Sequence, residues 1–152
     1  MDRLNKNIFK NTFTGGVLAI ILFSSASMSY AEDTAKKSSD STSIDQILVS
    51  DTPNSEGYVL KTKDSLPSNT PKIYATAQLG SAVEGSVVTA TLVYLPTQSK
   101  IGPVVAKVST TGNTMEAFSF TNTKMPWPKG EYEVDVSTAS GDTQKVNFKI
   151  DD

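Results

Sequence analysis

The chain has no cysteine and no histidine among its 152 residues, and a single arginine and a single tryptophan. Without thiols there is no disulfide and no thiolate nucleophile, and without imidazole the commonest base at neutral pH is missing. Zinc sites built on either ligand are excluded with them. A serine nucleophile would then lean on lysine, yet no serine is followed by lysine three positions later. Phosphate-cradling glycine motifs, the Asp-x-Asp-x-Asp-Gly calcium loop and any sustained helical repeat of apolar residues are also missing. These absences lead to the expectation of a non-catalytic chain that needs no metal and no cofactor.

What is present begins with an export signal. Arg3, Lys6 and Lys10 precede the apolar run 17–23, and small residues follow it up to Ser29-Tyr30-Ala31. This is the layout of a cleaved secretory signal over residues 1–31, with the cut after Ala31. The run is much shorter than the roughly 20 apolar residues that cross a bilayer. The expected destination is the periplasm or the medium, with no stable membrane insertion after cleavage. Beyond residue 31 the chain keeps eleven lysines, no arginine and fifteen acids, a net charge of −4 that repels nucleic acid and anionic lipid. No Asn-x-Ser/Thr acceptor occurs, which favours a bacterial envelope.

Residues 32–43, EDTAKKSSDSTS, contain no large apolar side chain and read as a flexible polar tether. From Ile44 to Asp152 the apolar residues recur with a period of two between clusters of Gly, Pro, Asn, Asp and Ser. Strands are expected at 44–50, 57–62, 72–79, 86–95, 103–110, 115–121, 131–138 and 143–150. The last two form the best-defined hairpin. Tyr132, Val134 and Val136 alternate with Glu131, Glu133 and Asp135, and Val146, Phe148 and Ile150 with Lys145, Asn147 and Lys149. Pro103 and Lys107 mark the 103–110 strand as an edge. Seven or eight short strands in this length predict an all-β, antiparallel β-sandwich with Greek-key connections over residues 44–152.

The segment from Trp127 to Val136, WPKGEYEVDV, resembles a pattern of immunoglobulin-like domains in exported bacterial proteins. There a Pro-x-Gly turn leads into a strand with an inward tyrosine, and an alternating strand closes the domain. Phe118 and Phe120 before the turn and Val146, Phe148 and Ile150 after it extend the similarity over the last third of the chain. The resemblance implies an immunoglobulin-like sandwich in an extracytoplasmic setting. It implies no activity, because such folds serve adhesion, inhibition and structural spacing alike.

Individual residues have both functional and structural readings. Trp127, between two prolines, serves either as a contact for a sugar or protein or, by preference, as a cap on the open end of the core. Tyr132 is expected in the core with its hydroxyl on backbone, as in a tyrosine corner. Asp51, Asn54 and Glu56 around Pro53 read as a solvated loop rather than an oxygen-ligand site, and Ser99-Lys100 as a polar turn. The expected function is binding of another envelope or secreted protein, through end loops at 112–114 and 125–130 or through a strand edge. Trp127, Lys129, Asn113 and Met125 are the candidate contacts. The alternatives are a periplasmic inhibitor or immunity protein acting on a cell-wall hydrolase or toxin, and a minor pilus or surface subunit.

Overall fold

The computed structural model describes residues 41–152; the expected export signal and most of the expected tether lie outside the described residues. Eight strands follow one another without a helix among the described residues: β1 (Ser43–Ser50), β2 (Ser65–Pro67), β3 (Ile73–Ala82), β4 (Val87–Tyr94), β5 (Ser99–Lys107), β6 (Gly112–Phe120), β7 (Gly130–Thr138) and β8 (Thr143–Asp151). They form a three-stranded sheet in the order β1-β3-β6 and a five-stranded sheet in the order β2-β8-β7-β4-β5. The two sheets stack with β1 over β8 and β6 over β5. The chain crosses from one sheet to the other at β1–β2, β2–β3, β3–β4, β5–β6 and β6–β7, and β1, β3 and β6 face the five-stranded sheet.

The core follows from the two-residue alternation. Ile47 and Val49 of β1 lie beside Ala77 and Ala75 of β3, and Ala75 in turn lies beside Phe118 on β6. Opposite them Val88, Ala90 and Leu92 of β4 pair with Thr138, Val136 and Val134 of β7, and Phe148 and Ile150 complete the inner layer. Alanine on β3 beside phenylalanine on β6 leaves room for the large side chains of the facing layer. The β7–β8 hairpin forms as expected, and its register sets Glu131 opposite Lys149 and Asp135 opposite Lys145. Lys145 reaches Glu133 at 2.8 Å and Asp135 at 3.5 Å on the solvent face.

Four expectations are corrected. First, 57–62 is not a strand of either sheet. The segment crosses the outer face of the three-stranded sheet, where Val59 is buried and its N–H donates to Thr76 Oγ1 at 2.7 Å. The tertiary contact displaces the strand propensity, and the chain enters the other sheet later, as β2, whose pairing with β8 is parallel rather than antiparallel. Second, 112–114 is the start of β6 rather than a loop, because the positive φ of Gly112 (103°) completes the turn before it. Third, Ser99-Lys100 opens β5, which runs to Lys107. Pro103 sits within the strand, where Gly102 (φ 111°) and Pro103 bulge between the pairs Ala90–Val104 and Leu92–Ile101. Fourth, the end of the tether belongs to the domain: Thr42 is buried, hydrogen-bonds Ser86 Oγ at 3.0 Å and accepts from the Val83 N–H at 3.2 Å. The edge position of β5 is as expected.

Candidate functional site

β1, β3 and β6 alternate in direction, so Ser43, Ala82 and Gly112 lie at one end of the sandwich and Ser50, Ile73 and Phe120 at the other. Asn113 therefore stands at the end where the chain enters. Met125, Trp127 and Lys129, in the connection 121–129 after β6, stand at the far end. Seven residues of strand separate Asn113 from Phe120, roughly 23 Å at 3.3 Å per residue. The four candidate contacts do not form one site.

The far end is built on aromatic packing. Trp127 is 1 % exposed, and its indole Nε1–H donates to the Thr70 carbonyl at 2.7 Å. Its backbone N–H donates to the Ser68 carbonyl at 2.9 Å. The ring meets Tyr132 edge-on at 6.2 Å, and Tyr132 stacks on Phe148 at 5.6 Å. The tryptophan thus occupies the capping place, with little surface left for a ligand to stack on. The Tyr132 hydroxyl donates to the Pro128 carbonyl four residues upstream at 2.8 Å, the geometry of a tyrosine corner. Burial, followed by the neighbouring Tyr94, pushes its pKa up to about 12, so at neutral pH it is a fixed donor and not a proton shuttle.

With Trp127 turned inward, the connection presents its other side chains outward. Asn122 clamps it from within, its Nδ2 donating to the Lys124 carbonyl and its Oδ1 accepting from the Lys124 N–H, each at 2.9 Å. Tyr94 donates from its hydroxyl to the Lys129 carbonyl at 3.0 Å. Lys124 and Met125 are exposed, Met125 at 45 %. Lys129 is exposed and ion-paired with Asp152. Beside this connection a cleft of about 340 Å³ opens between it and the start of β5, floored by Leu92, Tyr94, Ile101 and Tyr132 and rimmed by Ser99 and Lys124. Its walls offer apolar surface and hydroxyls but no pair of carboxylates.

Asn113 lines a different cleft of about 400 Å³ on the outer face of the three-stranded sheet, with Asp45, Tyr58, Gln78 and Met115. Around Pro53, Asn54 Oδ1 accepts from the N–H groups of Glu56 and Tyr58 at 3.0 and 2.8 Å, and Asp51 bonds Lys63 at 2.5 Å. The side-chain oxygens of Asn54 and Asp51 are thus used internally, and Glu56 is exposed. Burial alone would raise the Asp51 carboxyl, but bonds from Lys63 and Thr52 and the Lys63 charge outweigh it and hold the pKa below the usual value. No group of three or more acidic side chains placed to hold a metal occurs among the described residues. No helix among them is long and apolar enough to cross a membrane.

Two features escaped the sequence reading. Tyr94 closes the 86–95 run, and its partnership with Tyr132, 4.9 Å between ring centres, depends on the β4–β7 register. Glu116 shares a strand face with Phe118 and Phe120, a placement already visible in the alternation of 115–121.

No family model matches the chain, and no curated protein does. Among solved structures it is similar to β-glucosidase from Listeria innocua in complex with glucose (14 % identity, TM-score 0.41), covering 70 % of this chain and 16 % of the other. It is also similar to an alkylpurine DNA glycosylase from Pseudomonas fluorescens (11 %, TM-score 0.40; 73 % and 30 % of the two chains). A CARDB domain from Pyrococcus furiosus in complex with di-metal ions is a third such structure (8 %, TM-score 0.40; 70 % and 86 %). The chain spans about one sixth of the β-glucosidase. At these TM-scores none of the three bears on what this chain does.

Proposed function

We propose that this chain is an exported, non-catalytic immunoglobulin-like module that holds another protein of the envelope or medium through the 121–129 connection. One observation carries the reading. That connection is fixed from inside by Trp127, Tyr132, Tyr94 and Asn122, while Lys124 and Met125 project into solvent. A loop ordered before contact loses little conformational entropy on binding, and a flexible methionine beside a lysine suits a protein surface. The position at the far end from the tether adds to this, since it would face away from whatever the tether reaches.

The test places a photo-crosslinking residue at 125 in a tagged chain that keeps its own signal, in intact cells. One dominant crosslinked protein, lost with Lys124→Glu, is the expected result, and its identity separates an inhibitor from an assembly subunit. A chain that crosslinks to nothing at 125 and remains monomeric would overturn the proposal.

A further inference from the structure

A sandwich has four strand edges, and three of those here are blocked over part of their length or carry features that discourage pairing. Along β1, the Ile44 N–H donates to Asp142 Oδ2 at 2.7 Å and the Ile44 carbonyl accepts from Gln144 Nε2 at 2.6 Å. Further along, the Val49 N–H donates to Thr62 Oγ1 at 3.2 Å and its carbonyl accepts from the Lys63 N–H at 2.8 Å. β2 has three residues, ends in Pro67 and covers β8 only over Lys149–Asp151; the rest of that side of β8 carries the exposed Lys145. β5 carries the Gly102–Pro103 bulge at its middle and exposed lysines at 100 and 107, devices that discourage pairing.

β6 is different. It has nine residues with no proline and no lysine, and its backbone pairs with β3 alone. Every second amide and carbonyl along its other side is therefore free for a ladder. On the outward face of its second half, Ala117 and Ser119 are exposed and small.

At the middle of β6 stands Glu116. Its register partner on β3 is the fully buried Ala77, and it shares the inward face of β6 with Phe118 and Phe120. Its carboxylate makes no hydrogen bond or ion pair among the described residues, and burial pushes its pKa up. Two copies of β6 pairing antiparallel about their centre would set Glu116 opposite Glu116 between the sheets, a like-charge contact that disfavours self-association. The same carboxylate would favour a strand that brings a cation.

We infer that β6 is a docking edge for an extended segment of a partner protein that carries a lysine or arginine facing Glu116, with apolar side chains two residues to either side. The main-chain ladder supplies affinity, and the alternate side chains supply choice. The cation completes a half-buried charge, and the flanking apolar residues extend the Phe118 layer. This rests on reading the chain as a protein-binding module, but uses a surface separate from the 121–129 connection.

The test uses the nonapeptide Thr-Thr-Val-Thr-Lys-Thr-Val-Thr-Thr and its counterpart with glutamate at the centre, titrated into the isotopically labelled mature chain. The lysine peptide is expected to slow hydrogen exchange at alternate β6 amides and to bind about tenfold or more tightly than the glutamate peptide. Glu116→Gln, which keeps the side-chain shape, should abolish that difference, whereas Lys124→Glu should leave it unchanged. The peptide swap is read on the unaltered protein, so it stands whatever the variants do. Absence of binding, equal binding of both peptides, protection along β5, or protection of β6 by self-association without peptide would each overturn the inference. None of these outcomes touches the crosslinking test at residue 125.

Discussion

At the scale of single residues, Trp127 and Tyr132 decide whether the far end is a built structure or a loose connection. Trp127 fills the core end and bonds Thr70, so Trp127→Ala is expected to cost about 3–5 kcal/mol of stability, measured by urea unfolding. A rigid end is what the proposed contact needs, so partner capture at residue 125 should weaken with it. Tyr132 offers a second check through its titration. Its folded pKa of about 12 lies above the ordinary 10.0, so across that window the unfolded chain has released a proton that the folded chain keeps. Stability must then fall as pH rises from about 10 toward 12. Tyr132→Phe should flatten that part of the curve followed by circular dichroism, and would remove one late-ionising phenol from the ultraviolet titration.

At the scale of elements, the segment between β1 and β2 shows how packing overrides local preference. GYVLKT has the composition of a strand, yet a strand needs a neighbour with free hydrogen-bonding groups, and β1 offers only Val49 to residues 62 and 63. The outer face of the three-stranded sheet instead offers Leu48 and Thr76, side by side in register, and Val59 settles there. Thr76→Val keeps the shape but leaves the buried Val59 N–H without its acceptor. It is expected to cost about 1–3 kcal/mol by thermal unfolding, with the β7–β8 hairpin amides unaffected in local hydrogen exchange. No change in stability would mean that the crossing segment is held by something other than this bond. The hairpin itself, by contrast, was legible throughout, because both of its strands alternate without interruption and its register needs nothing from outside.

At the scale of the whole molecule, the chain is tied together across long separations at the end where it enters. Thr42 reaches Ser86, Val83 and Ser140, and Ile44 reaches Asp142 and Gln144. A chain starting at residue 41 keeps every one of these bonds. A chain starting at residue 44 should melt several degrees lower, as loss of about 1–2 kcal/mol in a domain of this size implies. The global pH profile has an acid counterpart to Tyr132. Asp51 titrates below its ordinary value in the fold, so its contribution is complete above about that value and is lost as pH falls through the folded pKa. Lys63→Met should remove much of this dependence in acid unfolding. The loss at neutral pH should be no more than about 1 kcal/mol, because the Lys63 end of the pair is solvated.

The sequence alone determined the all-β class, the approximate positions of seven of the eight strands, the β7–β8 hairpin, the edge character of β5 and the inward tyrosine. These depend on period-two alternation and on turn residues, both of which act over a few neighbours in the chain. It also excluded thiol and imidazole chemistry, which is a matter of composition. Only the tertiary structure decided which strands neighbour one another, since pairing depends on contacts tens of residues apart that leave no local trace. That pairing turned Trp127 inward, set Asn113 and Met125 at opposite ends, sent 57–62 across a sheet face, and left β6 with an open edge and Glu116 at its centre.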